Sequence, residues 1–198
     1  ADVYRRGPCL RGPRFCVRVS AASYTLRSRA KPGVPIVPTR SPRMTDHNLR
    51  LPAEWEPQSA VLIAWPHADT DWAERLASVE TTYVALAAAV TRFQSLVIVV
   101  ADEDLRIHVE GLLADAGVDL SKLRCITLPY DDTWLRDSGP ITLKGGARGF
   151  QLTDFRFTGW GGKFGAEQDD ALVAGLVEAG VFGHAAHKRI DWALEGGG

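Results

Sequence analysis

Cysteine is scarce, with three residues in 198, at positions 9, 16 and 125. So few offer no disulfide framework and fit a reducing compartment, so a cytoplasmic location is expected. No stretch approaches the roughly 18 to 20 consecutive apolar residues of a membrane span, and no membrane partner is expected. Excess charge is missing too. The formal net charge is −1, which removes bulk attraction to nucleic acid or to a membrane surface. Metal-ligand clusters are also lacking. His184 and His187 have a workable spacing but no visible third or fourth ligand, and are read as surface residues. What remains is globular material, 45% apolar and 9% aromatic, enough to build the core of one domain.

The small net charge conceals a division. Residues 1–43 hold ten Lys/Arg against Asp2 alone, a balance of +9, which leaves −10 for the remainder. They also carry prolines 8, 13, 32, 35, 38 and 42 and show no periodicity. Such a segment cannot bury enough apolar surface to offset its ordering entropy. An organellar leader or a nucleic-acid-binding tail would have this composition, but regularly spaced aromatic partners for a nucleic acid are absent. Met44 is the only methionine and stands where the composition changes. It is expected to be the natural start, with residues 1–43 translated upstream sequence and residues 44–198 the folded part.

From Met44 onward the pattern is orderly. Ala60 to Trp65 is an apolar run closed by Pro66, as in a buried strand. Between Asp71 and Phe93 the apolar positions Trp72, Leu76, Val79, Tyr83, Leu86, Val90 and Phe93 recur at spacings of four and three, predicting an amphipathic helix. Leu96–Ala101 is a second strand, and Asp102 is placed to cap a helix that Gly117 can end. A third strand is expected over Leu123–Tyr130. Beyond Pro140, Ile141–Lys144 and Gly149–Phe157 suit paired strands around Gly145-Gly146. A helix follows over Asp169–Gly180, then a strand towards Leu194. The class is α/β, and spacing alone suggests an open doubly wound sheet.

One stretch is poor core material. Asp131-Asp132-Thr133-Trp134-Leu135-Arg136-Asp137-Ser138-Gly139-Pro140 follows the third strand, where α/β proteins place ligand-contacting loops. Carboxylates beside a large aromatic ring suit a flat organic cation, through paired N–H bonds and attraction to the ring face. A surface ion pair between Arg136 and Asp137, worth at most about 1 kcal/mol, is the plainer alternative. The cluster Gly159-Trp160-Gly161-Gly162-Lys163 is not a phosphate loop. A Walker motif would need glycine at Phe157 and Ser or Thr at Phe164, and a dinucleotide fingerprint would need glycine at Phe164. Its glycines are expected to permit close backbone approach. Cys125 lies mid-strand and is expected to be an inert packed thiol.

Taken together, several motifs resemble the agmatine deiminase family of the pentein superfamily. They are Leu51-Pro52-Ala53-Glu54-Trp55-Glu56-Pro57-Gln58 leading to Ala64-Trp65-Pro66-His67, then Asp131 to Pro140, Asp154 to Phe164, and the closing Leu194-Glu195-Gly196-Gly197. The match covers residues 44–198, the first half or less of a complete member. The resemblance implies a pentein-type α/β propeller of repeated ββαβ units around a substrate channel, incomplete in this chain. It implies hydrolysis of agmatine to N-carbamoylputrescine and ammonia, on a route to putrescine, through a cysteine-thiouronium intermediate, with no metal or organic cofactor. By motif match, Asp137 and Glu195 are the catalytic carboxylates that hold the guanidinium. Trp134 packs on it, and Trp65 and Asp71 contact the far end of the substrate. The family's histidine and nucleophilic cysteine lie downstream of the Glu-Gly-Gly element, so the 198-residue chain is expected to be inactive alone. Peptidyl-arginine or free-arginine deimination shares the same clamp, and a non-catalytic guanidinium-binding fragment is a further alternative. The expected partner is the small guanidinium substrate, and a homo-oligomer is compatible with the sequence.

Overall fold

Strand β2 (Ser95–Val100) is the hydrophobic centre of the first of the two sheets found among the described residues. Its β-branched run has a period of two. Leu96, Ile98 and Val100 face one side and Val99 the other, and all four are fully buried. β1 (Ala60–Ala64) and β3 (Leu123–Thr127) pair with it in parallel, with Ile63 opposite Ile98 and Ile98 opposite Cys125. Parallel strands need crossovers, and the helical periodicities supply them: α1 (Leu76–Thr91) and α2 (Glu103–Asp115). Ala87, Val109 and Leu113 from these helices close over Leu96, Ile98 and Val100. The coordinates are a computed structural model in which residues 48–197 are described. The expectations for residues 1–43, and for Met44 as the start, lie outside that range.

The second sheet contains β4 (Ile141–Lys144), β5 (Phe150–Arg156) and β6 (Ala186–Ala193) in that order. β4 and β5 are antiparallel around a turn in which Gly145 and Gly146 take positive φ, and β5 and β6 are parallel. The crossover between β5 and β6 carries a helix. Leu135–Ser138 is a single helical turn, here α3, and the crossover helix is α4 (Glu167–Glu178). Segment β4-β5-α4-β6 is therefore a ββαβ unit. The first sheet is instead the all-parallel βαβαβ arrangement suggested by spacing alone. Helix α4 also buries Leu172 and Leu176 against Val99 and Ala64 on the open face of the first sheet, so the first sheet has helices on both faces.

Two boundaries differ from the periodicity. Asp71 to Arg75 does not join α1. The Asp71 backbone N–H and the Trp72 indole bond the loop after β3, and a 3₁₀ turn, Ala73–Arg75, takes the place of the first helical turn. Strand β3 ends at Thr127, two residues ahead of Pro129, which has no N–H for the ladder. The cap at Asp102 forms as expected, its Oδ1 accepting the Leu105 N–H at 2.8 Å.

Candidate active site

The segments that follow β1 and β3 leave the same carboxyl-terminal edge of the parallel sheet, where such sheets bind ligands. Their meeting is cemented by short polar contacts. The Trp72 indole donates to Thr133 Oγ1 at 2.8 Å, and the Asp71 N–H donates to Asp132 Oδ2 at 3.1 Å. Asp132 Oδ1 also accepts the Thr133 N–H at 2.6 Å. Three tryptophans then form a row. Trp72 and Trp134 have ring centroids 5.9 Å apart, and Trp134 meets Trp160 edge-on at 6.2 Å. Phe157 and Phe164 flank Trp160 at 5.2 and 5.7 Å. Trp134 remains 37% exposed, so its ring is available to a ligand.

Asp137 stands beside this row. Its Oδ2 accepts the Trp160 indole N–H at 3.2 Å. Among the described residues no ion pair engages Asp137, Asp132, Asp71 or Glu195, so the alternative Arg136–Asp137 bridge does not form. The Glu-Gly-Gly turn docks on the same segment. Gly196 donates its N–H to the Asp137 carbonyl at 3.3 Å, and a Cβ at Gly197 would lie 2.1 Å from Asp137 Oδ1. Glycine at 197 therefore lets the backbone lie against the carboxylate, and the half-buried Glu195 immediately precedes this turn.

Trp160 is presented by unusual backbone. Gly159, Trp160, Gly161 and Gly162 have φ of 59°, 55°, 80° and 79°, one left-handed turn closed by Gly162 N–H to Thr158 O and Lys163 N–H to Gly159 O. A left-handed L-residue costs about 1–2 kcal/mol, and Trp160 is the only non-glycine described residue with positive φ. The glycines serve mainly this handedness. Close approach, expected for the whole cluster, holds at Gly159, where a Cβ would meet the Phe164 carbonyl oxygen at 2.3 Å, and not at Gly161 or Gly162, which have open space.

Asp137, Glu195, Trp134 and Asp71 are thus gathered around the loop after β3. Trp65 is not among them. Its side chain is fully buried in the core between the first sheet and α1, its indole donates to Glu80 Oε1 at 3.0 Å, and its carbonyl accepts the Tyr130 hydroxyl. This position supports the β1 loop and presents no face to a ligand. Trp72 and Asp169 went unrecognised in the sequence. Trp72 fits the helical apolar stripe, and only its hydrogen bond across 61 residues shows that it stands against the loop after β3. Asp169, 2% exposed, accepts the Asp131 N–H at 2.9 Å and the Asp132 N–H at 3.3 Å. Burial raises its carboxyl to about 6, against the lowering effect of those two N–H groups. Cys125 is half-buried and burial pushes its thiol up to about 12, which leaves it protonated and unreactive at neutral pH. His187 faces Asp154 at 2.8 Å, and no group of three metal-ligating side chains occurs among the described residues.

A carboxylate set against an aromatic wall, with no protein cation paired to it among the described residues, has the chemistry to receive a flat cation. The family model described as Porphyromonas-type peptidyl-arginine deiminase matches residues 50–198. The chain belongs to this family. Curated relatives include the agmatine deiminase of Stutzerimonas stutzeri (strain A1501), 30% identical over 167 residues that make up 80% of this chain and 42% of the relative. The agmatine deiminase of Pseudomonas aeruginosa (strain LESB58) is 30% identical over 81% of this chain and 42% of its own length. The chain thus spans about 42% of the curated relatives it matches. Among solved structures, a C. jejuni agmatine deiminase with substrate bound superposes with a TM-score of 0.66 at 26% identity, covering 75% of this chain and 41% of that one. A putative arginine deiminase from Porphyromonas gingivalis gives 0.64 at 40% identity, covering 75% and 42%. These two curated relatives are agmatine deiminases, as is the matching structure from Enterococcus faecalis. Among the described residues no helix is long and apolar enough to cross a membrane.

Proposed function

We propose that this chain supplies the guanidinium-holding part of an agmatine deiminase, an enzyme that converts agmatine and water to N-carbamoylputrescine and ammonia. The observation that carries the reading is Asp137. Its carboxylate lies beside the tryptophan row, takes a neutral indole N–H in place of a cation, and shares its place with the turn bearing Glu195. Two carboxylates and the ring of Trp134 orient the guanidinium so that its central carbon meets a nucleophile. Orientation and charge complementarity of this kind are worth several kcal/mol of barrier. The reaction runs in two steps. A cysteine thiolate bonds to the guanidinium carbon, and ammonia leaves with a proton from a histidine. Water then adds and the C–S bond of the thiouronium breaks. The raised thiol of Cys125 and its packing against the core argue against it as that nucleophile. The nucleophile and the histidine are assigned to sequence beyond the Glu-Gly-Gly element, where the two sheets would be completed into a propeller.

Asp71 and Asp132 extend the acidic rim beyond the clamp and favour a second positive charge at the far end of the substrate. Agmatine has that charge. Free arginine presents an α-carboxylate there, which these residues repel. Deimination of peptidyl-arginine is the second reading, favoured by the match of residues 50–198 to the Porphyromonas-type peptidyl-arginine deiminase family. The test offers agmatine, free arginine and an arginine peptide separately to the complete protein, with ureido product and ammonia followed. Turnover of agmatine alone, abolished by Asp137→Ala, is the expected result. Turnover of the peptide alone would move the assignment to the second reading. Turnover by the 198-residue chain at the rate of a complete relative would refute the placement of the nucleophile.

A further inference from the structure

Asp131 and Asp169 exchange backbone hydrogen bonds across the site. Helix α4 begins after Ala166, which offers no capping side chain. Its first N–H groups are satisfied from the loop after β3: Asp131 Oδ2 accepts Gln168 N–H at 2.8 Å and Asp169 N–H at 3.1 Å. In return Asp169 Oδ1 accepts the N–H groups of Asp131 and Asp132. Each carboxylate therefore holds the other's backbone, and the helix N-terminus favours both negative charges. The pair splits the two adjacent aspartates into different tasks. Asp131 points back into the scaffold, which leaves Asp132 free to bond Asp71 N–H and Thr133 at the rim.

We infer that Asp169 is a positioning residue for the guanidinium site: through its two bonds to the 131–132 backbone it sets where Asp132, Trp134 and Asp137 stand. Burying a carboxylate is costly, and α4 already packs through Leu172 and Leu176. A latch of two reciprocal carboxylates is stiffer than apolar contact and fixes the loop to one register on rigid scaffold. The inference rests on the proposed guanidinium site, and the experiment separates the two.

The complete protein, labelled with 15N in its tryptophans, reports each indole N–H by its hydrogen exchange without any substrate. Trp72 and Trp160 report the site through their bonds to Thr133 and Asp137, and Trp65, bonded to Glu80 in the core, reports the fold. Asp169→Ala is expected to speed exchange of Trp72 and Trp160 at least tenfold with Trp65 unchanged, and to raise the agmatine KM about tenfold. Asp169→Asn keeps one acceptor oxygen and is expected to restore most of both. Exchange at Trp72 and Trp160 within twofold of the parent overturns the inference. Equal acceleration at Trp65 also overturns it, because Asp169 then serves only the fold. If agmatine is not bound or turned over at all, the deiminase reading fails, and the exchange pattern still decides the latch.

Discussion

Alanine at Gly161 isolates the cost of backbone handedness at the site. The left-handed turn through Gly159, Trp160, Gly161 and Gly162 presents the indole that bonds Asp137. At Gly161 φ is 80° and an added Cβ meets nothing within 4 Å, so Gly161→Ala adds conformational strain alone. The expected loss is about 1–2 kcal/mol, a fall in melting temperature of about 2–4 °C for each kcal/mol in a domain of this size. Gly159 combines φ of 59° with a Cβ position 2.3 Å from the Phe164 carbonyl oxygen. Backbone cannot yield as a flexible side chain can, so Gly159→Ala is expected to cost at least twice as much. D-alanine at 161, introduced by ligation of a synthetic segment, inverts the preference. Its Cβ has room and its favoured φ is positive, so a gain of about 0.4–1 kcal/mol is expected from restriction of the unfolded chain. Denaturant melts of the three variants, followed by tryptophan fluorescence, give the comparison. Equal losses at 159 and 161, or no loss at 161, would refute the assignment of these glycines to handedness.

Other perturbations bear on the carboxylates and the thiol. Gly197→Ala would set a Cβ 2.1 Å from Asp137 Oδ1, so agmatine affinity should fall at least tenfold with little change in melting temperature; unchanged affinity would separate the Glu-Gly-Gly turn from the clamp. Asp169 has a folded-state pKa of about 6, raised from the ordinary carboxylate value, so the folded state binds more protons between the two. Its stability contribution is full below about pH 4 and is lost as pH rises through 6. Asp169→Asn should therefore compare more favourably with the parent at pH 7.5 than at pH 4.5 in denaturant melts, and a pH-independent difference would contradict this sign. Cys125, its thiol raised to about 12, should resist alkylation by iodoacetamide in the native protein at pH 7.5, and rapid modification would show that the strand opens.

Much of the fold was legible because its signals are local. The period of two in Leu96–Val100, the helical spacing from Leu76 to Val90 and the cap at Asp102 each require only neighbours in the chain, and each forms near its expected place. The misplacements share a cause. Trp72 obeys the helical stripe yet leaves the helix, because Thr133, 61 residues later, offers its indole a hydrogen bond. Trp65 stands in a motif and looks like a ligand contact, but it fills the core, because its N–H still bonds the Val99 carbonyl one residue past β1 and its ring packs in the cluster with Ala87, Leu96 and Ile98. Asp169 looks like an ordinary acidic residue in the first helical turn. Only the returning loop shows that its carboxylate serves Asp131 and Asp132. Local pattern identifies elements; partners distant in sequence decide which residues of those elements make the site.

The rim they make is electrostatically unbalanced, and that has a measurable consequence. Asp71, Asp132, Asp137 and Glu195 gather around one loop, and the donors to Asp132 and Asp137 are neutral: the Thr133 and Asp71 backbone N–H groups, the Thr133 hydroxyl and the Trp160 indole. Neutral N–H groups bond a carboxylate without supplying a counter-charge, so on the proposed reading the repulsion among these carboxylates is relieved only when a cation arrives. A dication that bridges the clamp and the far rim removes this repulsion as well as making contacts. Agmatine at 100 times its Kd should stabilise the complete protein by about 2.7 kcal/mol, and N-carbamoylputrescine, with one charge fewer, should do less at equal concentration. The screening length falls from about 30 Å at 0.01 M ionic strength to about 3 Å at 1 M, so agmatine affinity should weaken steeply with salt while the affinity of the monocationic product changes less. Salt-independent agmatine binding would mean that aromatic packing on Trp134 carries the recognition, and that the carboxylate rim serves only to orient the guanidinium.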